Sequence, residues 1–242
     1  MRKVLIVLLV LLLGGLFAAD RFAESRAEAE VARQVANEYG LASTPSVEFG
    51  GWSFLAQAIG GTYDSVDVKI GDYTDHYATG VYDEKGTTLH DVSVRLEGLH
   101  APLSDVMSGD ATGITADRAT ATGVIPYETI QEALASRGVT AVSQSPEGHV
   151  LARGVYPAPL MGQVPVEVTV SLRVTDQGVA VVPEKVAAVG IQLPLDAVKQ
   201  AFTYTIPVTD LAFGAKITAV VPVATGLRVT GEAVNVPLNQ RA

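Results

Sequence analysis

The chain has 242 residues, with 17 Lys and Arg against 26 Asp and Glu, so its formal net charge at pH 7 is −9. This charge repels polyanions and excludes a nucleic-acid partner, and the absence of cysteine excludes disulfides, thiolate metal sites and cysteine nucleophiles. A hydrophobic fraction of 48% with 23 Gly and 12 Pro is typical of a globular protein that has many turns and short strands.

The first predicted element is an apolar N-terminal segment. Two basic residues precede residues 4–17, a run without a polar side chain, and Asp20 follows two alanines. A basic start before a short apolar run is the layout of an export signal. Interpreted instead as an uncleaved anchor, a helix over residues 4–19 spans ~24 Å, against ~30 Å for a hydrocarbon core. We expect residues 1–19 to be a signal peptide or an N-terminal membrane anchor, and residues 20–242 to be a single exported domain.

Residues 20–39 are predicted to form an amphipathic helix. Apolar residues recur at a spacing of four, which places them on one helix face: Ala23, Ala27, Val31, Val35 and Tyr39. Gly40 predicts the end of this helix, because glycine favours the left-handed conformation found after a C-terminal turn. A face made mostly of Ala and Val indicates that another element approaches closely or that space remains beside the helix.

Further along the chain, the periodicity changes from four to two. Apolar and polar residues alternate in four runs, 66–70, 92–96, 166–174 and 227–231. This alternation predicts strands with one apolar and one solvated face, which is typical of antiparallel sheets. Turn sequences that contain glycine separate the runs at hairpin spacing, at residues 83–86, 146–148, 176–178 and 224–226.

Two short helices are predicted among the strands, over residues 126–136 and 194–202. Each begins at a proline and then places three apolar residues on one helix face. The two stretches match in character position by position, which suggests an internal duplication of residues 116–154 and 183–232. Chance similarity between amphipathic helices explains the match equally well, so both explanations stay open.

The sequence contains no catalytic motif that we recognise. A zinc-hydrolase pattern, a nucleophile elbow and a phosphate-binding glycine loop are all missing, and the four histidines lack metal-ligand spacing. Asp72, Asp75 and His76 form the densest polar cluster, which a solvated turn explains better than a cation site. We therefore expect no catalytic residue, no metal and no organic cofactor. A pair of carboxylates distant in sequence stays open as an alternative.

Residues 48–68 hold the only tryptophan of the chain. Trp52 lies beside Phe54, Leu55 and Ile59, and a pair of glycines flanks the cluster on each side. Such a cluster predicts either a lip that touches a membrane or one end of an apolar cavity. Ordinary core packing is the better explanation for Phe54 and Leu55, whereas for Trp52 the explanations are equally good.

The same segment resembles a known family. The matching positions are Gly51, Trp52, Phe54, Leu55, Gln57, Gly61, Tyr63 and Val66. Residues 114–122, the proline-initiated helix that follows them and residues 222–231 agree as well. Over residues 20–236 the chain thus resembles the LmeA-like phospholipid-binding family of actinobacterial cell envelopes. Ser53 stands where that family commonly has proline, and we expect this difference to loosen the turn.

The resemblance implies an α+β fold of the tubular lipid-binding (TULIP) type. In such a fold a strongly bent antiparallel sheet wraps around a long N-terminal helix, here with two shorter helices, and acyl chains lie in the apolar groove between them. The resemblance further implies a place in the cell envelope or periplasm, at the outer face of the plasma membrane if residues 1–19 are retained. It implies binding of phosphatidylinositol-type phospholipids and a role in maturation of mannosylated envelope lipids such as lipomannan, without a cofactor.

The inward faces of the predicted helices supply candidate acyl-chain contacts: Val31, Val35 and Tyr39; Tyr127, Ile130 and Leu134; Leu195, Val198 and Phe202. Candidates for an end or lip of the groove are Trp52, Phe54, Leu55 and Phe213. Arg118 or Lys185 is the candidate for a head-group phosphate, with a solvated strand end as the alternative. Core packing competes for every apolar candidate, because core walls and ligand walls use the same residue types.

The expected partners are a phospholipid, through its acyl chains, and a membrane. Because anionic head groups repel the acidic body, we expect contact with a membrane only through apolar residues or the N-terminal anchor. A protein partner stays unspecified. Two other functions stay open: an envelope enzyme that acts on glycolipid, and a structural or adaptor module that binds another envelope protein through a sheet edge.

Overall fold

The computed structural model describes residues 2–75, 86–102, 104–105, 113–158, 162–188, 203–207 and 212–238. Three α-helices are described, α1 Arg2–Glu38, α2 Phe54–Gly60 and α3 Tyr127–Leu134. The strands are β1 Ser46–Gly50, β2 Thr62–Asp75, β3 Thr87–His100, β4 Thr115–Pro126, β5 Val139–Gln144, β6 Val150–Ala158, β7 Gly162–Thr175, β8 Gly178–Ala188, β9 Tyr204–Pro207, β10 Lys216–Val223 and β11 Gly226–Pro237. Short 3₁₀ turns follow α3 at Ala135–Arg137 and precede β10 at Ala212–Gly214.

The strands form two antiparallel sheets. The first has six strands in the order β1-β2-β3-β4-β11-β10, and the second has five strands in sequence order, β5-β6-β7-β8-β9. In register, Phe49 faces Val66 between β1 and β2, and Val168 faces Val186 between β7 and β8. The predicted α+β class, with a long N-terminal helix and antiparallel strands, is confirmed. The strands are divided between two sheets, where the sequence analysis expected one.

The chain forms two compact units. The first comprises Met1–Gly71, Ser93–Thr120 and Ala233–Ala242, and the second comprises Asp72–Val92 and Ala121–Glu232. Both units are therefore assembled from stretches that lie far apart in sequence.

In the first unit, α1 runs without interruption through residues 2–38, so the apolar segment and the predicted amphipathic helix are one element. The helix ends where predicted, because Gly40 takes a left-handed φ of +59° that terminates the helical turn. Ala32 is buried and Val31 and Val35 are half-buried, and α1 packs against β1 and α2. Tyr39 lies past the last turn and is 60% exposed. In the described part of the chain, we find no helix whose length and apolar character suffice for a membrane crossing.

In the second unit, the five-stranded sheet carries an aliphatic core. Val166, Val168 and Val170 of β7 are buried, whereas Val174 near the turn is 37% exposed, so the predicted alternation holds along most of the strand. These valines belong to one cluster with Tyr127 of α3 and three more valines, Val142, Val150 and Val181. The predicted turns at residues 146–148, 176–178 and 224–226 join β5 to β6, β7 to β8 and β10 to β11.

Helix α3 is shorter than predicted. It covers Tyr127–Leu134 and continues as a 3₁₀ turn that ends at Gly138, whose φ is +81°. Pro126 occupies the N-cap, where its missing N–H costs no hydrogen bond. The second predicted helix, residues 194–202, lies outside the described residues, as do the turn at 83–85 and His76. The roles of Leu195, Val198 and Phe202 and the internal duplication therefore stay predictions.

Candidate functional site

Three aromatic side chains in the first unit form a packed trio. The ring centres of Phe49 and Phe54 are 5.0 Å apart, those of Phe49 and Tyr63 are 5.5 Å apart, and those of Phe54 and Tyr63 are 5.9 Å apart. These distances are ordinary for aromatic pairs. Each such pair stabilises a folded protein by about 0.5–1.5 kcal/mol, in addition to the effect of burying its apolar area. Phe54 therefore contacts protein on at least two sides, which favours the core-packing explanation for this residue.

The loop before α2 depends on Gln57. Its Nε2 donates to the carbonyls of Gly50 (3.0 Å) and Ser53 (3.2 Å), and its Oε1 accepts from the N–H of Asp64 (2.7 Å). Gly51 has a φ of +108°, and a Cβ there would lie 2.6 Å from Gln57 Nε2. The glycine and glutamine of the recognised pattern are thus needed to build this loop.

Asp20 fixes the same loop to α1. Its Oδ1 accepts from Ser53 Oγ (2.8 Å) and from the N–H of Leu55 (2.8 Å), and its Oδ2 accepts from the N–H of Phe54 (3.2 Å). These hydrogen bonds, that from Leu55 foremost, lower the pKa of Asp20 from 3.8 to about 2. Sequence analysis missed this role because Asp20 lies more than thirty residues from its partners.

Ser53 does not loosen the turn, contrary to expectation. Its hydroxyl accepts from the N–H of Ala56 (3.2 Å) and so caps the N-terminus of α2, while donating to Asp20. Ser53 therefore adds two hydrogen bonds to this corner.

Arg21 extends the contact between α1 and the loop. Its guanidinium pairs with Asp20 (2.9 Å) and Glu24 (2.5 Å) and donates to the carbonyl of Trp52 (3.4 Å). Glu24 is itself buried, and this burial raises its pKa, with Arg21 opposing the shift. The backbone carbonyl of Trp52 thus has a partner on α1, whereas its side chain is 83% exposed. The side chain of Trp52 is therefore not packed in the protein core.

In the second unit, Tyr127 stands out among the candidate residues. It is 8% exposed and belongs to the valine cluster of the five-stranded sheet, with Ile130 packed against the same cluster. Its hydroxyl has no hydrogen-bond partner among the described residues, and burial raises its pKa. A buried hydroxyl without a partner lowers the stability of a folded protein by about 1–3 kcal/mol. A ligand with a hydrogen-bond acceptor at this position would remove that cost. Leu134 on the same helix is half-buried.

The remaining candidates differ in their surroundings. Leu55 is half-buried at the start of α2, and Phe213 is half-buried with a left-handed φ of +58°. Lys185 is exposed and pairs with Glu147 at 2.8 and 3.1 Å, and that pairing raises the pKa of Lys185. Arg118 is exposed on β4 and forms no ion pair within the described ranges, so its charge is free to meet an anion.

We find no assembled catalytic or metal centre among the described residues. No group of three or more His, Asp or Glu side chains could hold a metal ion there. Three histidines each contact one carboxylate: His90 with Asp72 (2.8 Å), His100 with Asp117 (3.2 Å) and His149 with Glu184 (3.1 Å). All six side chains are at partly or fully exposed strand and turn positions.

Comparison with known proteins assigns the chain to a class. The sequence model of a family described as LmeA-like phospholipid-binding matches residues 18–232. Because the match covers nearly the whole chain, the protein belongs to the LmeA-like phospholipid-binding family, which confirms the resemblance noted from the sequence. No curated protein and no solved structure gives a significant match.

Proposed function

We propose that the protein is an exported phospholipid-binding protein of the cell envelope that holds acyl chains against an apolar wall. The observation that carries the proposal is the family match over residues 18–232. The finer parts of the proposal are a preference for phosphatidylinositol-type lipids, a non-catalytic role and support of lipomannan maturation. The N-terminal segment, as a signal or an anchor, would place the protein outside the plasma membrane.

The wall of α3 and the five-stranded sheet supports this proposal. Tyr127 and Ile130 pack against aliphatic side chains of β5–β8, so an acyl chain that entered between α3 and the sheet would meet the same apolar environment as a protein core. Each methylene taken from water there contributes about 0.8 kcal/mol. Sixteen-carbon tails therefore supply ample binding free energy even after the costs of ordering.

Polar groups would then select the lipid. The hydroxyl of Tyr127 lacks an acceptor among the described residues, and the ester carbonyl of a glycerolipid is a suitable acceptor. Arg118, in the first unit, is a separate candidate for binding a phosphate group, because it forms no ion pair within the described ranges, whereas Lys185 already pairs with Glu147. A guanidinium can donate two parallel hydrogen bonds to one phosphate group.

Native mass spectrometry of the purified full chain, followed by lipid extraction, tests the proposal. We expect one phospholipid per chain in the wild type. Ile130→Trp should fill the space beside α3 and reduce loading at least tenfold, while Glu132→Trp, on the exposed side of the same helix, should leave loading unchanged. Tyr127→Phe should keep the fold and weaken phospholipid binding several-fold.

Two results would contradict this proposal or its assignment of Ile130. Unchanged lipid loading in Ile130→Trp, with a collapse of thermal stability, would make this position part of the protein core. Absence of any phospholipid from the wild type, and no binding to vesicles that contain phosphatidylinositol, would contradict the proposal itself.

A further inference from the structure

Residues 11–17 of α1 are apolar and exposed on most sides of the helix. The side chains of Leu11, Leu12, Leu13, Leu16 and Phe17 are each 59–67% exposed. Because successive helix residues turn by about 100°, these five side chains surround the helix axis. A protein partner that docks on one side covers only a stripe, whereas hydrocarbon that surrounds the helix covers all of them.

Two exposed aromatic residues mark the level at which this apolar part meets the folded first unit. The guanidinium carbon of Arg21 lies 5.7 Å from the ring centre of Phe17, and the same guanidinium donates to the carbonyl of Trp52. One side chain therefore reaches both residues, so the ring of Phe17 and the backbone of Trp52 lie near each other beside Arg21. Their exposed fractions are 66% and 83%.

Another aromatic residue occupies a different side of α1 near that level. Phe22 is 63% exposed, and the guanidinium carbon of Arg26 lies 5.1 Å from its ring centre. Arg26 forms no ion pair with any residue that the structure describes. An exposed ring beside an unpaired cation matches the chemistry of a lipid head-group region, where hydrocarbon meets phosphate.

We propose that Phe17, Phe22, Arg26 and Trp52 form a docking belt that lies in the head-group region of a lipid bilayer, with residues 11–17 in the hydrocarbon. Tryptophan is enriched at such boundaries because its ring is largely apolar and its N–H is polar, and each of the two phenylalanines has a guanidinium beside its apolar ring. The net charge of −9 favours an apolar belt with a single free cation over a broad basic surface. The hydrogen bonds of Asp20 hold the Trp52 loop at a constant position relative to α1.

The belt belongs to the first unit alone and uses none of the residues of α3. It therefore goes beyond the proposed binding of acyl chains, and the two proposals fail separately. Docking would bring the protein to the bilayer from which a phospholipid is taken.

The only tryptophan of the chain reports directly on docking. We expect the fluorescence emission of Trp52 in the full chain to shift to shorter wavelength on phosphatidylcholine vesicles, and to be quenched by bromine-labelled acyl chains. The matched control is Trp52→Phe combined with Glu38→Trp, an exposed position in the last turn of the same helix, about 32 Å from Phe17 along its axis. That reporter should be neither shifted nor quenched. Trp52→Ala should weaken partitioning onto vesicles by at least about tenfold.

Three outcomes overturn the docking belt. The first is co-sedimentation of the protein with vesicles while Trp52 emission stays unchanged and unquenched. The second is quenching that persists after the protein is separated from vesicles, because Trp52 would then contact a carried lipid; this result would still support phospholipid binding. The third is a concentration-dependent shift without vesicles, which would make the belt an interface between copies of the chain.

Discussion

At the scale of single residues, Asp20 connects α1 to the loop that carries Trp52. Its carboxylate accepts one hydroxyl and two backbone hydrogen bonds, and a guanidinium pairs with it. All these groups stabilise the ionised form, which outweighs the effect of burial and lowers the pKa to about 2. Asp20 therefore accepts hydrogen bonds from the first turn of α2, and folding favours its ionised form.

Stability should depend on the ionisation of Asp20. Because folding lowers its pKa from 3.8 to about 2, the ionised carboxylate stabilises the folded state above pH 4, and this contribution disappears as the pH falls toward 2. We expect Asp20→Asn to be less stable than the wild type at pH 7, with the difference shrinking between pH 4 and pH 2. Denaturant midpoints measured over this range check the prediction.

The control for this prediction is Glu38→Gln, which alters an exposed carboxylate in the last turn of the same helix. Its midpoints should follow those of the wild type. If the difference between Asp20→Asn and the wild type stayed constant from pH 7 to pH 2, the hydrogen-bond network of Asp20 would not hold in solution.

At the scale of elements, α2 is short and is defined by its ends. Ser53 caps its N-terminus, and Gly61 takes a left-handed φ of +69° at its C-terminus. The N–H of Gly61 donates to the carbonyl of Gln57, and a Cβ on Gly61 would lie 3.1 Å from the Cα of Pro102. A helix of seven residues has little stability of its own, so its caps and its packing on α1 maintain it.

Gly61→Ala should therefore destabilise the protein more than the backbone conformation alone requires. A left-handed φ costs an alanine about 1–2 kcal/mol, and the contact with Pro102 adds to this cost. Gly40→Ala is the matched variant, because Gly40 has a similar φ of +59° and nothing within 4 Å of the added Cβ. Equal losses of unfolding free energy in the two variants, measured by chemical denaturation, would show that the approach to Pro102 is absent.

The local elements could be predicted from the sequence to the extent that neighbouring residues determine them. The spacing of Ala27, Val31 and Val35 and the stop at Gly40 predicted the second half of α1, and the alternation of valines predicted β7. That α1 continues through Asp20 was missed. The hydrogen-bond partners of Asp20, at residues 53–55, are remote in sequence and so leave no local signal. The division into two sheets was missed for the same reason, because strand pairing is long-range and alternation alone does not determine it.

For the candidate site, the sequence predicted which apolar residues are candidates but not which of them are buried and which are exposed. The sequence placed Tyr127 and Ile130 on one helix face and named Trp52 and Phe54 together. Whether a large apolar residue is buried or exposed depends on tertiary contacts: Phe54 packs in an aromatic trio, whereas Trp52 faces outward. The unpartnered hydroxyl of Tyr127 has no sequence signature, because satisfaction of a polar group depends on every neighbour in space.

At the scale of the whole molecule, an acidic protein combines exposed apolar side chains in its first unit with an aliphatic wall in its second. Net negative charge disfavours contact with anionic surfaces, so we expect apolar contacts to dominate any encounter of this protein with a membrane. This combination agrees with membership of a phospholipid-binding family.

Photo-crosslinking with a phosphatidylinositol that carries a diazirine in its acyl chain tests the central claim most directly. After irradiation of the purified full chain, separation from free lipid and proteolysis, mass spectrometry identifies the modified peptides. We expect crosslinks in the peptide that contains Tyr127–Leu134 and in the strands beneath it. Crosslinks confined to the exposed N-terminal part of α1, or crosslinks to α3 that an excess of unlabelled phospholipid fails to compete away, would contradict an acyl-chain site on α3.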